Sequence, residues 1–271
     1  MPEKRFLILD ELTDLDRAHW AMTRDPEDDA ARLAYYHRFA DAEVYLLLDS
    51  EPSGDAIDPA TVALEDGRYV LVFDREERLA EFTQGPAPYA ALPGRVIVGQ
   101  LGGQALGIGI NLGGSEGAFL MPPEAVDWLA DALTRAPEAG GAAPLAYFAP
   151  TRPEMAPVFA RKLAGLGALA ACAHLSGATL ATGTQGHVLV FEDAHPGAQD
   201  ALAKAASEAI LFSNSDPEGF EVMFMTPAQI SRAGLLGMAV LIEISVPAEE
   251  KVAPTGPVAP GSDPAKPPRL R

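Results

Sequence analysis

Residues 105–133, ALGIGINLGGSEGAFLMPPEAVDWLADAL, decide the fold. Leu106, Ile108 and Ile110 alternate with glycine, the period-2 pattern of a strand with one buried face. Residues 111–117 reverse the chain, because Gly113, Gly114 and Gly117 supply the positive-φ conformations of a tight turn. Residues 118–121 return as a second strand, which Pro122-Pro123 halts. Pro123 suits the first helical turn, where its missing N–H would have no partner. Val126, Leu129, Ala130 and Leu133 then fall at helical spacing, so a helix packs one apolar face back on the sheet.

Working toward the N-terminus, residues 95–101 read as a helix, although their β-branched side chains would also suit a strand. Asp66-Gly67 marks a hairpin between strands over 61–65 and 69–73, and Asp74 is placed to cap the helix that follows. Residues 44–48 form a further strand. Thr13-x-x-Asp16 resembles a capping box, with Leu15, Ala18, His19 and Met22 on the inner face. Asp25-Pro26 opens a second helix whose inward residues are Ala30, Leu33, Ala34 and His37.

Toward the C-terminus, residues 135–144, RAPEAGGAAP, have linker composition, and the pattern restarts beyond them. Strands are expected at 145–149, 169–175, 187–192, 220–225 and 238–244, with helices at 153–166, 196–212 and after Thr226-Pro227. The fold class is therefore α+β, in two α/β-type domains. The second is expected to be a split βαβ (ferredoxin-like) sandwich with an extra helix and strand, its helices on one face. The domains are set at 1–135 and 145–246, joined by a linker at 136–144. Residues 247–271 form a proline- and alanine-rich tail of disordered composition, in which Pro254, Pro257 and Pro260 recur at the polyproline II period.

The balance of 20 basic against 38 acidic residues gives a net charge of −18. Such a surface repels phosphate backbones and anionic headgroups, so neither nucleic acid nor a membrane is expected as a partner. One cysteine in 271 residues rules out an internal disulfide or a multi-cysteine metal site and fits a reducing compartment. No apolar run approaches the roughly 18 residues of a membrane span. The start, MPEKRFLILDELTD, has too short an apolar core for a signal peptide, so a cytoplasmic location is expected.

With these elements placed, the chain resembles the bacterial SseB family, named for enhanced serine sensitivity. Residues 66–82, DGRYVLVFDREERLAEF, and 110–129, INLGGSEGAFLMPPEAVDWL, carry the resemblance in the first domain. Residues 153–166, PEMAPVFARKLAGL, and 226–244, TPAQISRAGLLGMAVLIEI, carry it in a second, SseB C-terminal-like domain. Asp74 after Phe73 and Leu112 after Asn111 depart from the family's usual Phe-Thr and Asn-Pro, and the aromatic ending of the second domain is missing. The resemblance implies a cytoplasmic accessory protein tied loosely to serine sensitivity or sulfur metabolism. It brings no catalytic residues.

Residues that could carry chemistry are few. Gly113-Gly114-Ser115-Glu116-Gly117 matches the G-x-S-x-G nucleophile elbow, but the elbow needs its serine on a strand-to-helix turn. Here a strand and two prolines intervene, which makes the segment a hairpin turn. Gly107-x-Gly109 lies inside a strand, where glycine marks close packing rather than a dinucleotide loop. Cys172 and His174 share one strand face, the spacing of a thiol beside its base, yet a cysteine among Leu169, Ala171, Ala173 and Leu175 is expected to be buried and inert. His19, His37, His187 and His195 are scattered, with no local metal-ligand spacing. Asp14, Asp16, Asp25, Glu27, Asp28 and Asp29 read as a solvated acidic face. No catalytic, cofactor or metal residue is assigned. The leading expectation is a non-enzymatic protein that binds another protein; the alternatives are an enzyme using Ser115 or Cys172, and a small-molecule sensor.

Overall fold

The computed structural model describes residues 12–51, 57–114, 117–135, 143–213 and 219–244. They form an α+β structure with two mixed sheets. The first half runs α1 (Asp14–Arg24), α2 (Asp29–Asp41), β1 (Glu43–Leu47), β2 (Thr61–Leu64), β3 (Gly67–Phe73), α3 (Glu76–Thr83), β4 (Tyr89–Pro93), α4 (Gly94–Leu101), β5 (Leu106–Ile110), β6 (Phe119–Met121) and α5 (Pro123–Thr134). Its strands lie in the order β4-β1-β3-β5-β6, with β2 beside β3. β3 and β5 are parallel, and β5 and β6 form the antiparallel hairpin expected from the glycine-rich turn. Gly107 sits in β5 because any Cβ there would overlap the Tyr69 ring.

Alternation sorts the side chains of this sheet. Val44, Leu46, Val70, Val72, Ile108 and Ile110 face α1, α2, α4 and α5 in one large core. Leu47, Leu71 and Phe73 face α3 through Leu79 on the other side. The capping box at Thr13 and Asp16 forms as read. α2 differs: it starts at Asp29, capped by the Asp28 carboxylate on the Ala30 and Ala31 N–H groups, and it buries Tyr35, Tyr36, Phe39 and Ala40. Three aromatic rings remove more apolar area from water than the Ala30–Leu33–Ala34–His37 stripe; of that stripe, Ala30, Ala34 and His37 turn toward the second half, while Leu33 packs on the first-half core. Edge strand β4 escapes sequence reading because its residues are alternately exposed and only partly covered, leaving no buried apolar run.

The second half comprises β7 (Ala146–Phe148), α6 (Ala156–Leu163), β8 (Cys172–Thr179), β9 (Gln185–Glu192), α7 (Gln199–Leu211), β10 (Phe220–Met225), α8 (Pro227–Ala233) and β11 (Val240–Glu243). The extra helix and strand are present, but the βαβ unit is not split. The order is β10-β9-β8-β11, and α7 joins β9 to β10 as adjacent parallel strands. β9 is already held on its other side by the β8 hairpin. β7 and β11 share the far edge of β8, at Gly177–Thr179 and Cys172–Leu175 respectively, so no strand is left to insert. β8 begins at Cys172 rather than 169, because a turn closed by the Leu169 N–H on the Leu166 carbonyl occupies the preceding residues. Helices also cover both faces: α6 and α7 pack on Leu175, Leu189 and Phe191, while Ile230 of α8 and Leu235 pack on Ala178, Val188 and Val190.

The halves meet. Phe212, just past α7, is 2% exposed and belongs to the core of the first half. The linker at 136–144 falls mostly, and the tail at 247–271 wholly, outside the described residues.

Candidate functional site

The turn after β5 is built around buried polar groups. Asn111 is 1% exposed and has φ +51°, a conformation that asparagine tolerates better than most residues. Its N–H donates to the Val72 carbonyl at 2.9 Å, and its Oδ1 accepts from the Asp74 N–H at 3.0 Å. Asp74 therefore does not cap α3, as the sequence suggested. The N-cap position falls to Arg75 and makes no side-chain cap, while the Asp74 carboxylate accepts from Arg78 at 2.8 Å and from Thr13 Oγ1 at 2.6 Å. Arg78 also grips both oxygens of Asp16, at 2.9 and 2.8 Å. Asp16, counted above with the acidic face, is thus turned inward with its side chain 5% exposed. Burial alone would raise its carboxyl pKa, but the Arg78 and Thr13 hydrogen bonds outweigh it and hold the group below the usual carboxylate range. Gly117 closes the same knot, since a Cβ there would overlap Asp16 Oδ1. With its guanidinium engaged on two carboxylates, Arg78 fastens the ends of α1, β3, α3 and β5 to one another. Ser115, the elbow candidate, lies outside the described residues.

A second polar cluster spans the two halves. Lys162 of α6 binds Asp41 at 2.7 Å and Glu208 of α7 at 2.8 Å, and Arg95 of α4 binds both carboxylates as well. Beside it the His37 ring stacks on Phe212, with centroids 4.7 Å apart. Burial, with the Lys162 charge next, lowers the His37 pKa to about 4, so the ring is neutral at pH 7. Phe212 in turn meets Trp128, and Trp128 meets Tyr36. Trp128 and Tyr36 line a surface cleft with Leu33 and Ala125, rimmed by Asp29, Arg32 and Glu124.

The remaining candidate is Cys172. Its Sγ lies 3.5 Å from His174 Nε2 and 3.5 Å from Glu192 Oε2, while His174 Nε2 and Glu192 Oε2 are 2.7 Å apart. Sequence reading placed the thiol and the imidazole on one face but missed Glu192, which is the cross-strand partner of Cys172 in β9. The cysteine is half-buried rather than fully enclosed. Burial, then the adjacent Glu192 charge, pushes its thiol up to about 11. In a nucleophilic triad the acid orients the base through the ring nitrogen that does not face the nucleophile. Here Glu192 occupies the same nitrogen that faces Cys172.

The other histidines serve locally. His19 packs on Tyr35 and Phe119. His195 Nδ1 accepts from the Gly197 N–H, and His187 stacks on Phe220 while bonding Thr151 Oγ1 at 3.0 Å. Among the described residues no helix is long and apolar enough to cross a membrane.

No curated protein and no solved structure matches the chain. Residues 17–128 match the SseB protein N-terminal domain. That match runs from α1 into α5 and takes in Asp74, Arg78, Asn111, Tyr36 and Trp128, whereas the resemblance of residues 153–166 and 226–244 to a second SseB domain rests on those residues alone. Over residues 17–128, from α1 into α5, the chain is thus similar to the N-terminal domain of the SseB family.

Proposed function

We propose that this is a non-enzymatic cytoplasmic accessory protein of the SseB type, which acts by binding another protein and is tied loosely to serine sensitivity or sulfur metabolism. The observation that carries the binding role is the Trp128 cleft. An apolar floor of Leu33, Tyr36, Ala125 and Trp128 inside a charged rim is the anatomy of a protein interface, and Trp and Tyr are the side chains that most often dominate binding energy. The net charge of −18 adds a preference for the partner: an apolar anchor flanked by basic residues. The test is affinity purification with wild-type protein and with Trp128→Ala. A co-purifying protein lost from the Trp128→Ala sample and weakened by salt supports the reading. An unchanged partner profile, with the variant's melting curve intact, removes the cleft from the interface.

A thiol enzyme is the second reading, favoured by the 3.5 Å approach of Cys172 to His174. A thiol held near 11 carries very little thiolate at pH 7, which weighs against it. Turnover of a thiol-reactive substrate that disappears in Cys172→Ser would reverse the order of the two readings.

A further inference from the structure

We propose that Cys172, His174 and Glu192 form a site for a divalent transition metal of the zinc type. The three side chains come from adjacent strands of one hairpin and project from one sheet face, since Cys172 pairs with Glu192 across the strands and His174 lies two residues along from Cys172. They offer one sulfur, one nitrogen and one oxygen, whose separations are 3.5, 3.5 and 2.7 Å. Ligand edges in a tetrahedral zinc site built from the usual bond lengths are about 3.6 Å for S···N and S···O and about 3.4 Å for N···O. Two of the three edges therefore already have the required length. The third is shortened by the His174–Glu192 hydrogen bond, and opening it needs a movement of roughly 0.7 Å at the end of a Glu side chain.

The charges agree with this assignment. A thiolate, a carboxylate and a neutral imidazole carry −2 in total, matching a dication, and among the described residues no Lys or Arg forms a salt bridge with Glu192. The other cluster of ligand type, His37, Asp41 and Glu208, is different, because Arg95 and Lys162 already neutralise its carboxylates. Access is open on one side: Glu243 of β11 is exposed and pairs with Cys172 on its other edge, and Leu241 beside it is 54% exposed. A water molecule can supply the fourth ligand from that side. Binding is a proton exchange. The Cys172 S–H gives its proton to solvent as the S–metal bond forms, and any proton on His174 Nε2 moves to Nδ1 so that the Nε2 lone pair can coordinate.

Cobalt(II) titration of the reduced full-length chain tests the site. One equivalent should bind with a thiolate-to-cobalt charge-transfer band and the intense ligand-field bands of four-coordinate cobalt, be displaced by zinc, and release one proton per metal. Cys172→Ser should lose the charge-transfer band, and Glu192→Gln should weaken binding at least about tenfold, since losing even a supporting group costs that much. His37→Ala should bind as wild type does. Absence of the charge-transfer band or of proton release in the wild-type chain overturns the proposal, as does wild-type binding by Cys172→Ser. Should Cys172→Ser fail to fold, His174→Gln together with the wild-type proton count decides between the same outcomes.

Discussion

The two sheets close their parallel strand pairs with the same backbone device and different chemistry. Asn111, directly after β5, has φ +51° and donates its N–H to the Val72 carbonyl near the end of the neighbouring strand β3. Asp193, directly after β9, has φ +52° and donates its N–H to Met225 at the end of β10. In the first half the carboxylates gathered near that closure meet Arg78, which neutralises them in a buried knot. In the second half Glu192, the residue before the closure, meets an imidazole and a thiol instead. Equal backbone geometry therefore says little about the role of a strand end. The presence or absence of one guanidinium separates a charge-neutralised lock from a carboxylate that meets only an imidazole and a thiol.

The largest effect that would break this comparison comes from Arg78→Met. It strands the Asp16 and Asp74 carboxylates in a buried site, and losing one partner of a buried ion pair costs about 3–5 kcal/mol. Urea unfolding should show most of that loss, and a stability within error of wild type would mean that the knot is no lock. The paired substitutions Asn111→Gly and Asp193→Gly sharpen the contrast. Glycine relieves the positive φ at both sites, but only Asn111 also bonds the Asp74 N–H through its side chain. Asn111→Gly should therefore destabilise by about 1 kcal/mol or more, while Asp193→Gly should be neutral or slightly stabilising.

Acid should act on the two regions in separate windows. Asp16 has a folded pKa below its unfolded value of about 3.9, so its contribution is present above that value and fades as pH falls through the lower folded one. His37 at the junction has a folded value of about 4 against about 6.5 unfolded. The unfolded chain binds the extra proton between those values, so stability contributed by neutral His37 is complete above about 6.5 and declines toward 4. Melting temperatures at pH 7 and pH 5 should fall for wild type and fall less for His37→Gln. An equal drop in both would assign the loss to other groups. The smallest effect is kinetic: iodoacetamide should alkylate Cys172 more slowly in the folded than in the urea-unfolded chain, and Glu192→Gln should narrow the gap by removing the charge that disfavours thiolate. Equal rates in both states would contradict the raised thiol pKa.

Local signals carried much of this architecture into the sequence. Glycine and proline punctuation around residues 105–133 yields β5, β6 and α5, Thr13-x-x-Asp16 forms its capping box, and Thr226-Pro227 opens α8. The losses came where distance along the chain intervened. Asp16 and Arg78 are 62 residues apart, and nothing within either helix says that one acid of a charged run points inward. Cys172 and Glu192 are 20 apart, and pairing them requires the register of β8 on β9, which neither strand states alone. The inward face of α2 is ambiguous in sequence because two faces of that helix carry apolar side chains, and the one with Tyr35, Tyr36 and Phe39 is the one that enters the first-half core.

The placing of Phe212 against Trp128 has an optical consequence. The chain holds two tryptophans, and Trp20 is 61% exposed with the Arg24 guanidinium over its ring, whereas Trp128 touches a residue contributed by the other half. A Trp20→Phe protein would consequently carry a single emitter at the seam between the halves. Its emission wavelength and quenching would register the seam opening, the cleft filling or His37 gaining a proton, with no label attached.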